Sequence, residues 1–178
     1  MVGSKSHLNK KNSNLKFINN PDVVISIMKQ AGEWMENTNK HPSKWWKPEN
    51  MNEHFLMQYA EPGDLFVGMA GDEPAISAIL QFDERNQSWE SVDGNEPKKA
   101  LYVHWLCVNR NYAGKGYPEK MINFATKIAR EKKIKYLRVD TTFSKKKLRK
   151  IYEDLGFSLA GTLKESYRTT AFYQKELG

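Results

Sequence analysis

Apolar residues change their spacing several times along this chain, and each change marks an element. From Val24 to Met35 they recur at three- and four-residue steps (Val24, Ile27, Met28, Ala31, Trp34, Met35), the period of an amphipathic helix. Asn20 offers that helix an N-cap and Pro21 a first-turn residue, and Leu15 to Ile18 reads as a short strand ahead of it. His41-Pro42 and the run Trp45-Trp46-Lys47-Pro48 end the helix; Met51, Phe55, Leu56 and Tyr59 predict a second one. Glu61-Pro62-Gly63-Asp64 is a turn signal. Leu65 to Ala70 and Ala75 to Phe82 then read as the two strands of a hairpin across Gly71-Asp72-Glu73-Pro74.

The next stretch, Asp83 to Lys99, is polar and reads as a loop, with Trp89 as the one large aromatic that should pack onto something. Leu101 to Val108 is the most strand-like run of the chain. A glycine turn follows, then a helix with Met121, Ala125, Ile128 and Ala129 on one face. Tyr136 to Thr142 is a further strand. Ser144 is placed to cap another helix, with Leu148, Ile151, Tyr152 and Leu155 inward and Gly156 as its stop. Phe157 to Leu163 and Thr169 to Tyr173 read as the last two strands. Alternating strands and helices of this kind predict a mixed α/β sheet with helices on its faces. Residues 1–14, rich in Lys, Asn and Ser, are expected to be a flexible N-terminal segment, and residues 15–178 a single domain.

Composition narrows the chemistry. The 178 residues are 39% hydrophobic and 12% aromatic, enough for one buried core. A net charge of +7 favours an anionic ligand or partner, be it nucleic acid, a membrane surface or a polyphosphate cofactor. The lone cysteine, Cys107, excludes an intramolecular disulfide and a cysteine-based zinc site, and no metal is expected. The polar start and the absence of an apolar run near 20 residues (roughly the bilayer requirement) point to a cytoplasmic protein without a membrane anchor.

The chemistry is concentrated at Ala113-Gly114-Lys115-Gly116-Tyr117-Pro118, where a strand passes into a helix. N–H groups at a helix start have no partner within the helix, and the helix dipole adds a positive end, so the turn is built to hold an anion. Two glycines let a phosphate approach the main chain, and Lys115 adds a charge.

These residues carry a resemblance. Val108 followed by Ala113 to Pro118 resembles the central motif of the GCN5-related N-acetyltransferase (GNAT) superfamily, and Tyr152-Glu153-Asp154-Leu155-Gly156-Phe157 matches that family's later Tyr-x-x-x-Gly-Phe element. Two linked motifs at this separation are far more specific than a single Gly-x-Gly. The resemblance implies a GNAT-like acyl-CoA N-acyltransferase fold with a central, mostly antiparallel sheet. It also implies acetyl-coenzyme A as cofactor, and direct attack of a primary amine of a small molecule or peptide on the thioester. Ala113 to Pro118 would hold the pyrophosphate, the strand around Leu106 and Val108 would run beside the pantetheine arm, and Tyr152 would protonate the departing thiolate. Three positions depart from the family pattern: Ala113 stands for an Arg or Gln, Pro118 for a Gly or Ala, and Lys145 for an Asn that contacts the arm. Lys145 is expected to neutralise a cofactor phosphate or to face water. Dimers are common among relatives, so a homodimer is a possible assembly.

Several roles stay open at this level. By two-residue alternation His104 shares a strand face with Leu106, and it is either the base that deprotonates the amine or a hydrogen-bonded histidine of the sheet. Glu33, Glu36, Glu53 and Asp140 are further carboxylate candidates. Cys107, on the face opposite His104, reads as a small buried hydrophobe. Trp45 and Trp46 either line an acceptor pocket or pack. The cluster Lys145-Lys146-Lys147 with Arg149 and Lys150 lacks the companions of a nucleic-acid motif and reads as a solvated face. The alternative to an enzyme is a non-catalytic acyl-CoA-binding sensor or assembly module.

Overall fold

A computed structural model describes residues 14–40, 44–84 and 88–178. The expectation of a flexible N-terminus therefore lies, to residue 13, outside the described residues, as does the break at His41-Pro42. Strand β1 (Lys16–Asn19) passes at Asn20 into helix α1 (Pro21–Asn37), and the Asn20 side chain accepts the Val23 N–H at 3.3 Å, as an N-cap does. Val24, Ile27 and Met28 form the buried face of α1.

The second helix is much shorter than the apolar spacing suggests. Only Glu53–Leu56 (α2) is α-helical, with 3₁₀ turns at Lys44–Trp46 and Pro48–Asn50 before it. Pro48 and Asn52 explain this. Pro48 starts its own turn, and the Asn52 side chain takes the Phe55 N–H at 2.9 Å, so the helix can begin only there. Met51 and Leu56 are still buried, so the packing survives without the helix.

Strands β2 (Leu65–Ala70) and β3 (Glu73–Gln81) form the expected hairpin, turning through Gly71 at φ 64°. The segment read as a loop contains a one-turn helix, α3 (Glu90–Asp93). Then follow β4 (Ala100–Val108), α4 (Tyr117–Glu131), β5 (Tyr136–Thr142), α5 (Lys146–Asp154), β6 (Ser158–Lys164) and β7 (Thr169–Glu176). Ser144 does not cap α5. Its carbonyl closes a turn with the Lys146 N–H, and Lys145 occupies the cap position without a side-chain bond. Ile151 is also outside, 38% exposed, because a nine-residue helix lying on one sheet face buries only the narrow stripe of Leu148, Tyr152 and Leu155.

The seven strands lie in the order β1-β2-β3-β4-β5-β7-β6, antiparallel throughout except for β4 beside β5. On one face α4 packs Met121, Ile122 and Ala125 against Leu101, Val103 and Leu137. On the other, α1 covers Val67, Ile79 and Cys107.

Two irregularities shape the middle of the sheet. The parallel pairing of β4 and β5 stops after Ala100↔Tyr136, Leu101↔Leu137 and Tyr102↔Arg138, although both strands continue. And β4 carries an extra residue. Ser77 faces Cys107 but Ile79 faces His104, so Trp105 and Leu106 together oppose Ala78, with Trp105 in the left-handed region at φ 54°. This bulge overturns the simple alternation. Leu106 and Val108 pack on the α4 side, while Cys107 packs on the α1 side and His104 stacks on Tyr102 on that same side. His104 and Leu106 thus lie on opposite faces, and His104 shares its face with Cys107.

Trp89 packs as anticipated, but onto an unexpected partner. It is 2% exposed and lies over the guanidinium of Arg138, 4.3 Å away, a group wholly buried in β5. Arg138 donates to both carboxylate oxygens of Asp93 in α3 (2.6 and 2.8 Å), to Gln174 at 2.8 Å and to the Tyr102 hydroxyl at 3.2 Å. This network fastens the β3–β4 connection to the sheet. Burial would raise the Asp93 pKa, but the Arg138 bonds and charge and the Lys98 N–H outweigh it, so the carboxyl lies below its usual 3.8. Replacing Asp93 by Ala strands the guanidinium and should cost about 3–5 kcal/mol in urea-unfolding free energy at neutral pH. A depressed carboxyl contributes fully above its unfolded value, so the difference between wild type and Asp93→Asn should shrink as pH falls below 3.8.

Candidate active site

The turn between β4 and α4 has the shape its glycines suggested. Gly114 and Gly116 adopt φ 73° and 78°, and a Cβ added at either would meet nothing within 4 Å, so the space over the turn is open. Gly116 holds the N-cap position of α4 with no side-chain cap, which leaves the first N–H groups of the helix directed outward. Pro118 fits the first turn, where its missing N–H removes one of these donors. Ala113, Gly114 and Lys115 are extended or exposed, whereas the Tyr117 side chain is a core group packed on Tyr112 at 5.1 Å; only its main chain faces the turn's open side.

The turn is braced from behind. Asn109 donates from Nδ2 to the Pro74 carbonyl at 2.7 Å and accepts the Asn111 N–H at 3.1 Å. The Tyr112 hydroxyl donates to Glu73 at 2.6 Å, a bond that pushes the phenol up to about 12. Lys115 folds back to the Asn111 carbonyl at 3.2 Å. Neither Tyr112 nor Asn109 stood out in the sequence, because their partners sit on a hairpin more than thirty residues away.

Beyond Tyr102 the β5-facing edge of β4 has no strand beside it, and this edge includes the half-buried Leu106 and Val108. Tyr152, on α5, lies among the α4-side core residues, 4% exposed, against Phe157 and Tyr173 (ring centroids 5.9 and 6.2 Å). Burial first, and the charge of Asp140 second, push its phenol well above the ordinary value, so it keeps its proton at neutral pH. Helix α5 is held in place by Arg149, which donates to the Tyr173 hydroxyl at 2.9 Å, while that hydroxyl donates to Glu153 at 2.8 Å. Lys145 is exposed at the start of α5.

On the α1 side a cavity of about 260 Å³ opens at the same gap. At its floor the His104 Nδ1 lies 3.5 Å from the Asp140 carboxylate, one residue from each of the parted strands. Trp45, Tyr59 and Trp105 form an aromatic wall, Trp45 standing edge-on to Tyr59 at 5.0 Å and to Trp105 at 6.4 Å. Trp46 turns inward and packs on Trp105 at 5.4 Å as part of the α1 core. Glu84, from the β3–β4 connection, and Glu165 and Arg168, from the β6–β7 turn, reach the rim. Of the carboxylates considered from sequence, Asp140 is in the cavity, while Glu33, Glu36 and Glu53 are exposed on α1 and α2. Cys107 is buried, and loss of solvation raises its thiol to about 12, which suits a packing role.

The model of the acetyltransferase (GNAT) family matches residues 28–157, most of the chain. The chain belongs to the GNAT family. An uncharacterized N-acetyltransferase, YesJ of Bacillus subtilis, is 22% identical over 163 residues, covering 88% of this chain and 84% of YesJ. A GNAT-family acetyltransferase of Listeria monocytogenes has the same fold, with a TM-score of 0.70 at 20% identity over 92% of this chain and 95% of that one. A putative streptothricin acetyltransferase from Bacillus anthracis, solved with acetyl coenzyme A, aligns with a TM-score of 0.52 at 15% identity, covering 64% and 62% of the two chains.

This GNAT protein is an acyl-CoA-dependent N-acetyltransferase with acetyl-CoA as its cofactor. Its turn fits that group. Both glycines leave their Cβ space open, the helix start is uncapped, and the unpaired edge of β4 adjoins it. Among the described residues no group of His, Cys, Asp and Glu is placed to hold a metal, and no helix is long and apolar enough to cross a membrane. Sequence reasoning read Tyr59 only as a residue of the second helix, and it missed Glu84, Glu165 and Arg168, which sit in connections and turns without a periodic signal.

A methyl group at position 116 must adopt a left-handed backbone, costing roughly 1–2 kcal/mol of stability, and it fills the open space over the turn. Gly116→Ala should therefore lower the unfolding midpoint modestly. It should also weaken acetyl-CoA binding by about tenfold or more, the effect of losing one main-chain bond to a charged group. Calorimetric titration would read the second effect and a melting curve the first.

Proposed function

We propose that this enzyme transfers the acetyl group of acetyl-CoA directly to a primary amine of a small molecule or peptide seated in the cavity beside His104. The observation that supports this reading is the His104–Asp140 pair in the α1-side cavity, one residue from each parted strand, with the buried Tyr152 on the α4 side near enough to feel the Asp140 charge. A direct transfer needs one group to take a proton from the attacking ammonium and another to give one to the leaving sulfur.

The main-chain N–H groups of the Ala113–Pro118 turn and the Lys115 charge would hold the pyrophosphate, with the exposed Lys145 at the start of α5 as a further cation for it. The free edge of β4 at Leu106 and Val108 would orient the pantetheine arm through its main-chain donors and acceptors. When bound, acetyl-CoA supplies the thioester carbon and its leaving thiolate. The Asp140 carboxylate at Nδ1 of His104 fixes the tautomer and supports the imidazolium, so Nε2 is the nitrogen that takes the amine proton. The protonated Oη of Tyr152 serves as the acid. The aromatic wall of Trp45, Tyr59 and Trp105 limits water around the amine. Buried Cys107, with its raised thiol, supports a direct rather than a ping-pong route.

Tyr152→Phe should lower kcat by about 10²-fold in a thiol-release assay while leaving the Kd for acetyl-CoA within about twofold. An unchanged kcat would remove Tyr152 as the acid. His104→Gln and Asp140→Asn should each reduce kcat/KM for the amine, the former more strongly, with the KM for acetyl-CoA unchanged.

A further inference from the structure

The charges around the cavity oppose those of the rest of the chain. Among the described residues that line the cavity, Glu84, Asp140 and Glu165 stand against Arg168 alone; three carboxylates and one guanidinium leave these residues a formal charge of −2, in a protein of net charge +7. Asp140 is engaged with His104. The two glutamates remain for recognition, and they enter from different parts of the fold. Glu84 is held rigidly: Ser88 Oγ donates to its Oε1, and the Trp89 N–H donates to its Oε2 at 3.2 Å. Neutral donors fix the carboxylate without cancelling its charge. Trp89 is itself fixed on Arg138, so Glu84 is tied to the sheet. Glu165 lies at the mouth, in the β6–β7 turn whose closure is the bond from its N–H to the Arg168 carbonyl at 2.8 Å.

Resting on the reading of this cavity as the acceptor site, we infer that the acetylated amine belongs to a dication: an aliphatic diamine or polyamine whose second ammonium stays charged against Glu84 and Glu165. The volume suits it. About 260 Å³ holds roughly nine waters at about 30 Å³ each, the scale of a short aliphatic chain with two polar ends. The walls suit it as well, since the rings of Trp45, Tyr59, Trp105 and Tyr167 offer faces to both methylene groups and ammonium ions. Among the described lining residues a carboxylate on the acceptor would have only Arg168 to meet, against the three carboxylates of Glu84, Asp140 and Glu165.

Four amines of equal chain length separate the alternatives: 1,5-diaminopentane, 5-amino-1-pentanol, pentylamine and 5-aminopentanoate. Each would be titrated by calorimetry into the full-length protein saturated with coenzyme A, at low and at high salt. The diamine, corrected twofold for its equivalent ends, should bind about tenfold or more tighter than the alcohol, with a margin that narrows as salt rises. The doubly substituted protein Glu84→Gln, Glu165→Gln should bring that ratio close to one, while Arg168→Gln should preserve or widen it. Equal binding of diamine and alcohol would overturn the inference. So would tightest binding of 5-aminopentanoate with its loss in Arg168→Gln. Thiol release with the same amines tests the underlying reading separately: tight, selective binding of the diamine without acetylation would leave the dication site standing and refute its role as acceptor site.

Discussion

The shape of the candidate site depends on two neighbouring strands ceasing to pair. The ladder between β4 and β5 is the only parallel one in the sheet and ends at Tyr102 and Arg138, yet both strands run on. Main-chain donors and acceptors left at such an edge must be satisfied by something, and burial without partners would be costly. A sheet that closed this gap would have a better-bonded centre and no place for an extended ligand arm between its strands. The adjoining structure keeps it open: α4 and α5 carry one face, α1 and the Trp45 segment the other, and the Arg138 network secures the strands just before they part.

The split also sorts charge. The glycine turn joins the strand to α4 with uncapped N–H groups and a lysine, while the cavity beside His104 collects carboxylates. In the proposed reading, a basic chain thereby presents a positive approach to the cofactor and a negative pocket to the amine. Electrostatic sorting of this kind sets orientation and encounter more than raw affinity.

How far the sequence could foresee this follows from how local each feature is. The helix periodicities, the Asn20 cap, the hairpin at Gly71 and the glycine turn depend on residues close together in the chain, and all were legible. The Tyr152-to-Phe157 element gave the family because its spacing is fixed within one helix and its stop. The second helix misled because apolar residues at helical intervals also suit a series of turns once Pro48 and Asn52 interrupt them. The acceptor cavity was beyond reach for a different reason. Glu84, Asp140, Glu165 and Trp45 converge from four separate segments, and no spacing rule connects them. Arg138 shows the same limit: a charged residue in a strand looks solvent-facing until its partner in α3 is seen.

The bulge at Trp105 gives β4 two reading frames. Before it, even-numbered side chains face α1, as Tyr102 and His104 do; after it, odd-numbered Cys107 takes that side and even-numbered Leu106 and Val108 face α4. The strand therefore behaves as two segments joined out of phase, one furnishing the cavity beside His104 and the other the unpaired edge at Leu106 and Val108. Drift in residue type can proceed independently in each segment. A change of length couples them: losing the extra residue would return β4 to plain alternation, keeping Leu106 and Cys107 on their present faces but removing the Trp105 ring from the cavity wall. The extra residue between His104 and Leu106 is what lets one strand add an aromatic ring to the cavity side while both of its segments keep their faces.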